Sequence, residues 1–449
     1  MNAVSSLSKQ LTKHFQLVER ETTLARECLA GLTTFGAMSY ILAVNPAVLS
    51  AAGLDQAQLV IVTALASAIG TLIMALWANL PIALAPGMGY NVLFAQVIVI
   101  RMGFSPSVAL AMVFCNALLF VVIAVSGVRE RIIRGFPEAI KIGIQAALGL
   151  FIAWLGFTNS GLIAHSAHGA SFASLGQGAT FFAYASVLIT IICVAAQVPF
   201  ALLLSIVLIT VLGRFVTDAS GVPLTQFPDA LFAWPVPPTD IAFSLDLPTL
   251  LSQAATALPV MLYLFIADFF GVTGTLMALT RDAGLLDKNG NLRNSFQAYT
   301  TDGLASTIGA LLGTSTIGVF VESAAGISMG GRTGLTALVV ALLFIASLFF
   351  WPILTIVPAQ AIAPALIIVG LLMLRSLVDI DLKIPEQSIP PLLMVGITAA
   401  SSDLVMSLAS GCFVYTGICI VRKQWPKLSK TILAIDALLF VYLILSMQF

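Results

Sequence analysis

Two stretches decide how this chain is built: LPIALAPGMGYNVLFAQ at 80–96 and GTSTIGVFVESAAGISMGG at 313–331. Each has apolar flanks and a broken middle. Pro86, Gly87 and Gly89 interrupt the first; Gly, Ser and Thr crowd the second, which also carries Glu322. Proline and glycine at mid-helix break the backbone ladder, and in lipid the freed N–H and C=O groups find no water. Such breaks are tolerated where they line a cavity inside protein.

Lipid is the right solvent to assume. The chain has 449 residues, of which 59% are hydrophobic and only 9% charged, whereas a soluble domain needs roughly 25% charged residues. Apolar runs lie near 29–50, 59–79, 82–100, 107–127, 138–157, 180–196, 198–214, 250–279, 298–312, 314–329, 333–350, 358–375, 388–400 and 403–421. At about 20 residues per helix, fourteen spans take roughly 280 residues. The expected fold is therefore an all-α integral membrane protein of about 14 transmembrane helices. The broken stretches are spans 3 and 10, seven apart, so the chain divides into two halves of seven that cross in opposite senses. Paired broken helices in corresponding positions are the best sequence pointer to a transporter's binding site, because half-helix N-termini bring free N–H donors to the midplane.

Charge placement sets the orientation. With the N-terminus inside, Lys9, Lys13, Arg20 and Arg26 are cytoplasmic, as are Arg129, Arg131, Arg134 and Lys141, then Arg281, Lys288, Arg293, Arg332, Arg375 and Lys383, and finally Arg422, Lys423, Lys427 and Lys430. Of 20 basic residues only Arg101 and Arg214 fall outside, which satisfies the positive-inside rule. Residues 1–28 are expected to form a cytoplasmic surface segment and 215–249 an external loop. The segment 431–448 is one more apolar helix that either spans or lies in the interface.

A charge at mid-bilayer costs at least about 2.5–3.5 kcal/mol, so buried ionisable residues are functional candidates. Asp268 and Glu322 lie deep within spans; Asp302, Asp403 and Asp436 sit nearer to span ends. Desolvation disfavours the charged form, and a carboxyl poised near neutrality can take up and release a proton. Other chemistry is poorly supported. Gly326, Ser328 and Gly330 match a nucleophile elbow, but the turn needs a strand and a histidine partner, and His14, His165 and His168 are outside the expected core. Two lone histidines make a poor metal site. The 287–298 segment fails the calcium-loop pattern at its glycine and at Ala298. Gly87 and Gly89 lack the third glycine of a dinucleotide loop. The cysteines Cys28, Cys115, Cys193, Cys412 and Cys419 occur singly, which suggests neither zinc nor disulfides. Zero net charge argues against nucleic acid as a partner.

The segments ALAPGMGYN (83–91), ADFFGVTGT (267–275) with RDAGLLDKNG (281–290), and VESAAGISMGGRTGLTALVVALLF (321–344) resemble the nucleobase–cation symporter-2 (nucleobase/ascorbate transporter) family, azaguanine-type purine permease branch. The resemblance runs from LAGLTTFGAMSYILAVNP (29–46) onward. It implies two inverted seven-helix repeats arranged as a core domain (29–127, spans 1–4, and 250–350, spans 8–11) and a gate domain (138–214, spans 5–7, and 358–421, spans 12–14). It also implies a homodimer in the inner membrane. The expected function is symport of a purine nucleobase, hypoxanthine or guanine favoured, with the proton as coupling ion and no other cofactor. Asp268 and Glu322 fall where the family's substrate carboxylates sit, Asn91 matches its broken-helix asparagine, and Phe320 stands where relatives often carry Tyr. Tyr90 and Ala37 are further carry-overs; Gly89 and Ser323, in the two breaks, complete the expected binding set. Many hypoxanthine/guanine relatives read Asp-x-Phe-Asp where this chain has Asp268-Phe-Phe-Gly271, so the second acid is absent. Alternatives are an adenine or other nucleobase permease, an anion exchanger of the same architecture, an intramembrane enzyme and a passive channel.

Overall fold

The computed structural model describes residues 9–126, 129, 132, 135–166, 169–174, 176, 178–218, 220–228, 230–287, 292 and 294–446. Arg131, Arg134, Lys288, Arg293 and His168 lie outside the described residues, as does the side chain of His165.

Among the described residues fourteen helical spans are arranged as two inverted repeats of seven. Nine described helices are long and apolar enough to cross a membrane: Leu24–Ser50, Gln56–Ala78, Pro106–Ser126, Glu138–Asn159, Gly178–Ala195, Ala254–Asp282, Gly334–Leu354, Ala359–Asp379 and Leu404–Val421. These are spans 1, 2, 4, 5, 6, 8, 11, 12 and 14. Spans 3 (Met88–Arg101) and 7 (Ala201–Phe215) are shorter apolar helices. Span 9 (Ser295–Leu312) is more polar, span 13 is Pro385–Ser401, and span 10 keeps only a six-residue helix, Ser323–Ser328. A further helix, Lys430–Ser446, follows span 14 and packs on it.

Local sequence sets the ends. Asp55 accepts the Gln58 N–H at 2.8 Å to start span 2, and Asp403 accepts that of Met406 at 2.9 Å to start span 14, each satisfying an orphan donor of the first turn. Thr23 does the same for span 1. That helix therefore begins at Leu24, earlier than hydropathy places it, and carries Glu27 into the interior. Glu27 is fully buried; it accepts from the backbone N–H of Arg332 at 2.9 Å and from the hydroxyls of Thr333 and Thr336 at 2.8 and 2.6 Å. The Gly-Gly-Arg-Thr-Gly run after span 10 is thus the clasp that joins span 11 to span 1. The N-terminal segment is also anchored: Phe15 and Leu17 are buried against Leu335, where the sequence suggested only a surface segment.

In the breaks the chain is extended. Strand β1 (Leu84–Pro86) in span 3 pairs antiparallel with β4 (Ile317–Val319) in span 10, Leu84 facing Val319 and Pro86 facing Ile317. Backbone groups released by each interruption are satisfied partly by the other and partly by hydroxyls of neighbouring spans, which meets the requirement that no polar backbone face lipid. Just beyond the strands, Gly87 N–H donates to Thr316 and Phe320 N–H to Ala83, both at 3.0 Å. A second ladder, β2 (Ile163–Ser166) with β3 (Gly169–Phe172), lies in the loop after span 5. Span 4 packs on span 9 and span 11 on spans 1 and 2, whereas span 5 packs on spans 12 and 13 and span 6 on spans 7 and 12.

Candidate functional site

The breaks hold the chemistry. Asp268, midway along span 8, is 6% exposed, and its Oδ1 has no hydrogen-bond partner. A buried acceptor left idle is costly, so the site has capacity for a ligand. The Tyr90 hydroxyl lies beside this carboxylate and donates to the Ala267 carbonyl at 3.3 Å. A Cβ on Gly318, in β4, would sit 3.9 Å from Asp268 Oδ1 and 3.8 Å from the Tyr90 ring. Span 8, the span 3 half-helix and β4 thus converge on one point.

Asn91 is fully buried in the first turns of that half-helix. Its Oδ1 accepts from the Ser315 hydroxyl, and its Nδ2 is unpartnered. Glu322, half-buried, precedes the span 10 half-helix and accepts the Tyr40 hydroxyl at 2.6 Å. Ser323 accepts the Ala83 N–H at 3.0 Å and ties the two breaks together. Phe320 is buried between β4 and Glu322. Gly89 meets span 5: a Cβ there would lie 2.5 Å from Leu148. Ala37 is partly exposed on span 1, less than one turn from Tyr40. Asp268 and Glu322 do not bond each other; they flank the same β4 interruption, one beside it and one at its end.

The absent second acid has a steric counterpart. A Cβ on Gly271 would stand 2.9 Å from the Tyr90 hydroxyl, closer than real Cβ atoms approach, so glycine makes room for the tyrosine.

Three residues escaped the sequence. Nothing in the sequence sets Tyr40 apart within its apolar run. Asp302, placed near a span end by hydropathy, is fully buried, and neither carboxylate oxygen has a hydrogen-bond partner among the described residues. The small residues Gly303, Ala305, Ser306 and Gly309 around it were the available signal of a buried helix face. Arg129, expected in a cytoplasmic loop, is 6% exposed; nothing in the sequence separates it from Arg131 or Arg134. Among the described residues no three His, Cys, Asp or Glu side chains converge to hold a metal ion.

Two inverted repeats meeting at paired extended breaks form a fold that is found in solved membrane transporters. The transmembrane domain of the cyanobacterial bicarbonate transporter BicA shares it, with a TM-score of 0.62 at 15% identity over 85% of this chain and 97% of that one. So does murine Slc26a9, an anion transporter solved facing inward, with a TM-score of 0.62 at 14% identity over 89% and 68%. The chain belongs to the Permease family of nucleobase/ascorbate transporters, whose model matches residues 25–401. It is 37% identical to Methanocaldococcus jannaschii MJ0326 over 97% of this chain and 99% of that one. It is 34% identical to the Escherichia coli adenine permease AdeP over 96% and 95%. With the Bacillus subtilis guanine/hypoxanthine permease PbuO the identity is 32% over 96% and 99%. The protein is a transporter and not an enzyme.

Proposed function

We propose that the protein is a proton-coupled symporter that imports purine nucleobases by alternating access, hypoxanthine and guanine in preference to adenine. The observation that carries this reading is the idle Asp268 Oδ1, buried beside Tyr90, with the idle Asn91 Nδ2 at the start of the adjoining half-helix. Hypoxanthine and guanine present N1–H, and guanine adds an amino group next to it; one carboxylate can accept both as charge-assisted bonds. O6 needs a donor, which Asn91 or a half-helix N–H supplies. The Tyr90 or Phe320 ring offers a stacking surface worth about 1–3 kcal/mol in other base sites. Adenine lacks the N1 proton and would leave the carboxylate unpaired.

Asp268 and Glu322 are the proton-coupling acids in this reading. Spans 1–4 and 8–11 form the moving core, spans 5–7 and 12–14 the gate, and the close approach of Gly89 to Leu148 lies between them. Two copies form a homodimer in the inner membrane with the N-terminus inside, in keeping with the distribution of Lys and Arg. The relatives divide between adenine and guanine/hypoxanthine permeases, which favours a flat heterocycle over an inorganic anion. The acids Asp268 and Glu322 also oppose an anion exchanger, whose site should rely on half-helix dipoles or a cation.

The test is uptake of labelled hypoxanthine into cells expressing the protein, with adenine, guanine, xanthine, uracil and bicarbonate as competitors. Guanine should compete best, a protonophore should abolish uptake, and Asp268→Ala and Glu322→Ala should each be inactive. Uptake untouched by both substitutions would overturn the assignment; competition by adenine alone would move the substrate to a 6-aminopurine.

A further inference from the structure

A cation is buried where hydropathy gives no reason for one. Arg129 follows span 4 in the segment leading to span 5. Its guanidinium carbon lies 3.1 Å from the ring centroid of Tyr299, 4.8 Å from that of Phe269 and 5.2 Å from that of Phe120. Nη2 donates to the Thr273 hydroxyl, while Nε and Nη1 are cut off from solvent with no partner.

Among the described residues, few charged and titratable groups interact with it. Span 8 contributes Asp268, span 9 contributes Asp302 and Tyr299, and all three interact with it electrostatically. Span 4 offers the Phe120 ring, and span 3 brings the Tyr90 hydroxyl beside Asp268. Lys141 of span 5 lies over the Phe270 ring at 5.0 Å and pairs with Glu138 at 2.9 Å. Thr273 follows Asp268 by five residues, about 7.5 Å of helix rise, and Tyr299 precedes Asp302 by about one turn. The guanidinium therefore lies on one side of both acids, toward the ends of spans 8 and 9 that carry Arg281 and Ser295.

Idle N–H groups and idle carboxylate oxygens in one dry interior are complementary. Two carboxylates sharing a site cannot both stay ionised at low cost, and one fixed cation offsets one of them. We propose that Arg129 is the resident counter-cation of Asp268 and Asp302, so that within this pair one acid stays charged against it while the other takes up and releases a proton. This rests on the proton-coupled reading above and makes Arg129 a positioning residue: it sets the charge of the acid that meets the substrate without meeting the substrate itself.

The test uses purified full-length protein in liposomes, comparing wild type with Arg129→Gln, Arg129→Lys, Asp302→Asn and the double variant Arg129→Gln/Asp302→Asn. Loss of the cation makes the pair hold its proton more tightly, so Arg129→Gln should move the pH profile of uptake upward by about one to three units and depress Vmax more than KM. Arg129→Lys should keep the wild-type profile. The double variant should recover both profile and melting temperature, because the second acid no longer needs a partner. An Arg129→Gln profile equal to wild type, or a double variant no better than the single one, overturns the proposal. If Arg129→Gln yields no monodisperse protein, recovery of folded protein by the double variant supports the pairing and failure to recover it refutes it. Wild type that takes up no purine sinks the functional reading instead, while the melting-temperature cycle still decides the pairing.

Discussion

Thr71 and Ser306 perform the same act seven spans apart. The Thr71 hydroxyl on span 2 donates to the Leu84 carbonyl at 3.0 Å and accepts the Leu84 N–H at 2.9 Å; the Ser306 hydroxyl on span 9 bonds both the carbonyl and, at 3.1 Å, the N–H of Ile317. Each hydroxyl thus clamps the first residue of one central strand. Thr71→Ala and Ser306→Ala should each orphan two buried backbone groups, at about 1–3 kcal/mol apiece. Both should lower the melting temperature in detergent by similar amounts, and Thr71→Ser should behave like wild type. A drop in only one of the two would break the equivalence.

Tyr40 acts through Glu322. A hydrogen bond to a charged group contributes about 1.5–3 kcal/mol, so Tyr40→Phe should cut purine uptake roughly 10- to 100-fold. Because the two groups work as a pair, adding Tyr40→Phe to Glu322→Gln should cost little more. Additive losses in the measured uptake rates would place Tyr40 on a separate task.

Gly271 and Tyr90 should be exchangeable only together. Gly271→Ala puts a methyl group 2.9 Å from the Tyr90 hydroxyl, which must move the ring and weaken purine binding about 10-fold, the scale of an overpacked site at 1–3 kcal/mol. Removing the hydroxyl with Tyr90→Phe should restore affinity in the double variant. Competition binding reads both, and an unrescued double variant would show that the crowding is not the cause.

Glu386 is buried at the start of span 13 between Lys427 at 2.7 Å and Arg422 at 2.8 Å. Both cations favour the ionised carboxyl, so the cluster contributes stability only while Glu386 is charged. Wild type should therefore melt above Glu386→Gln at neutral pH, with the gap closing as acid protonates the carboxyl. A gap unchanged on acidification would mean that the charge does not matter.

How much of this was legible depends on the kind of signal. Spans 3 and 10 declared themselves because Pro86, Gly87 and the Gly/Ser/Thr-rich 313–331 stretch contradict an apolar helix, and the spacing of basic residues fixed the number of crossings between them. Asp268 and Glu322 stood out as isolated charges in apolar runs. Asp302 did not, because span 9 is itself polar and its buried face is marked only by small residues. Arg129 was hidden by the very rule that oriented the chain, since a basic residue next to a span end is what the cytoplasmic side should carry. The β1–β4 ladder could not be foreseen from either segment, as pairing depends on two stretches more than 200 residues apart in sequence.

The ladder has a consequence for how such carriers diversify. Its bonds are made by main-chain atoms, which every residue supplies alike save for proline, and Pro86 sits at the ladder's last rung, where a missing donor costs least. Drift in the side chains around the midpoint can therefore rewrite what is recognised without loosening the frame that presents it. One scaffold is thereby free to serve an inorganic ion in one lineage and an aromatic ring in another.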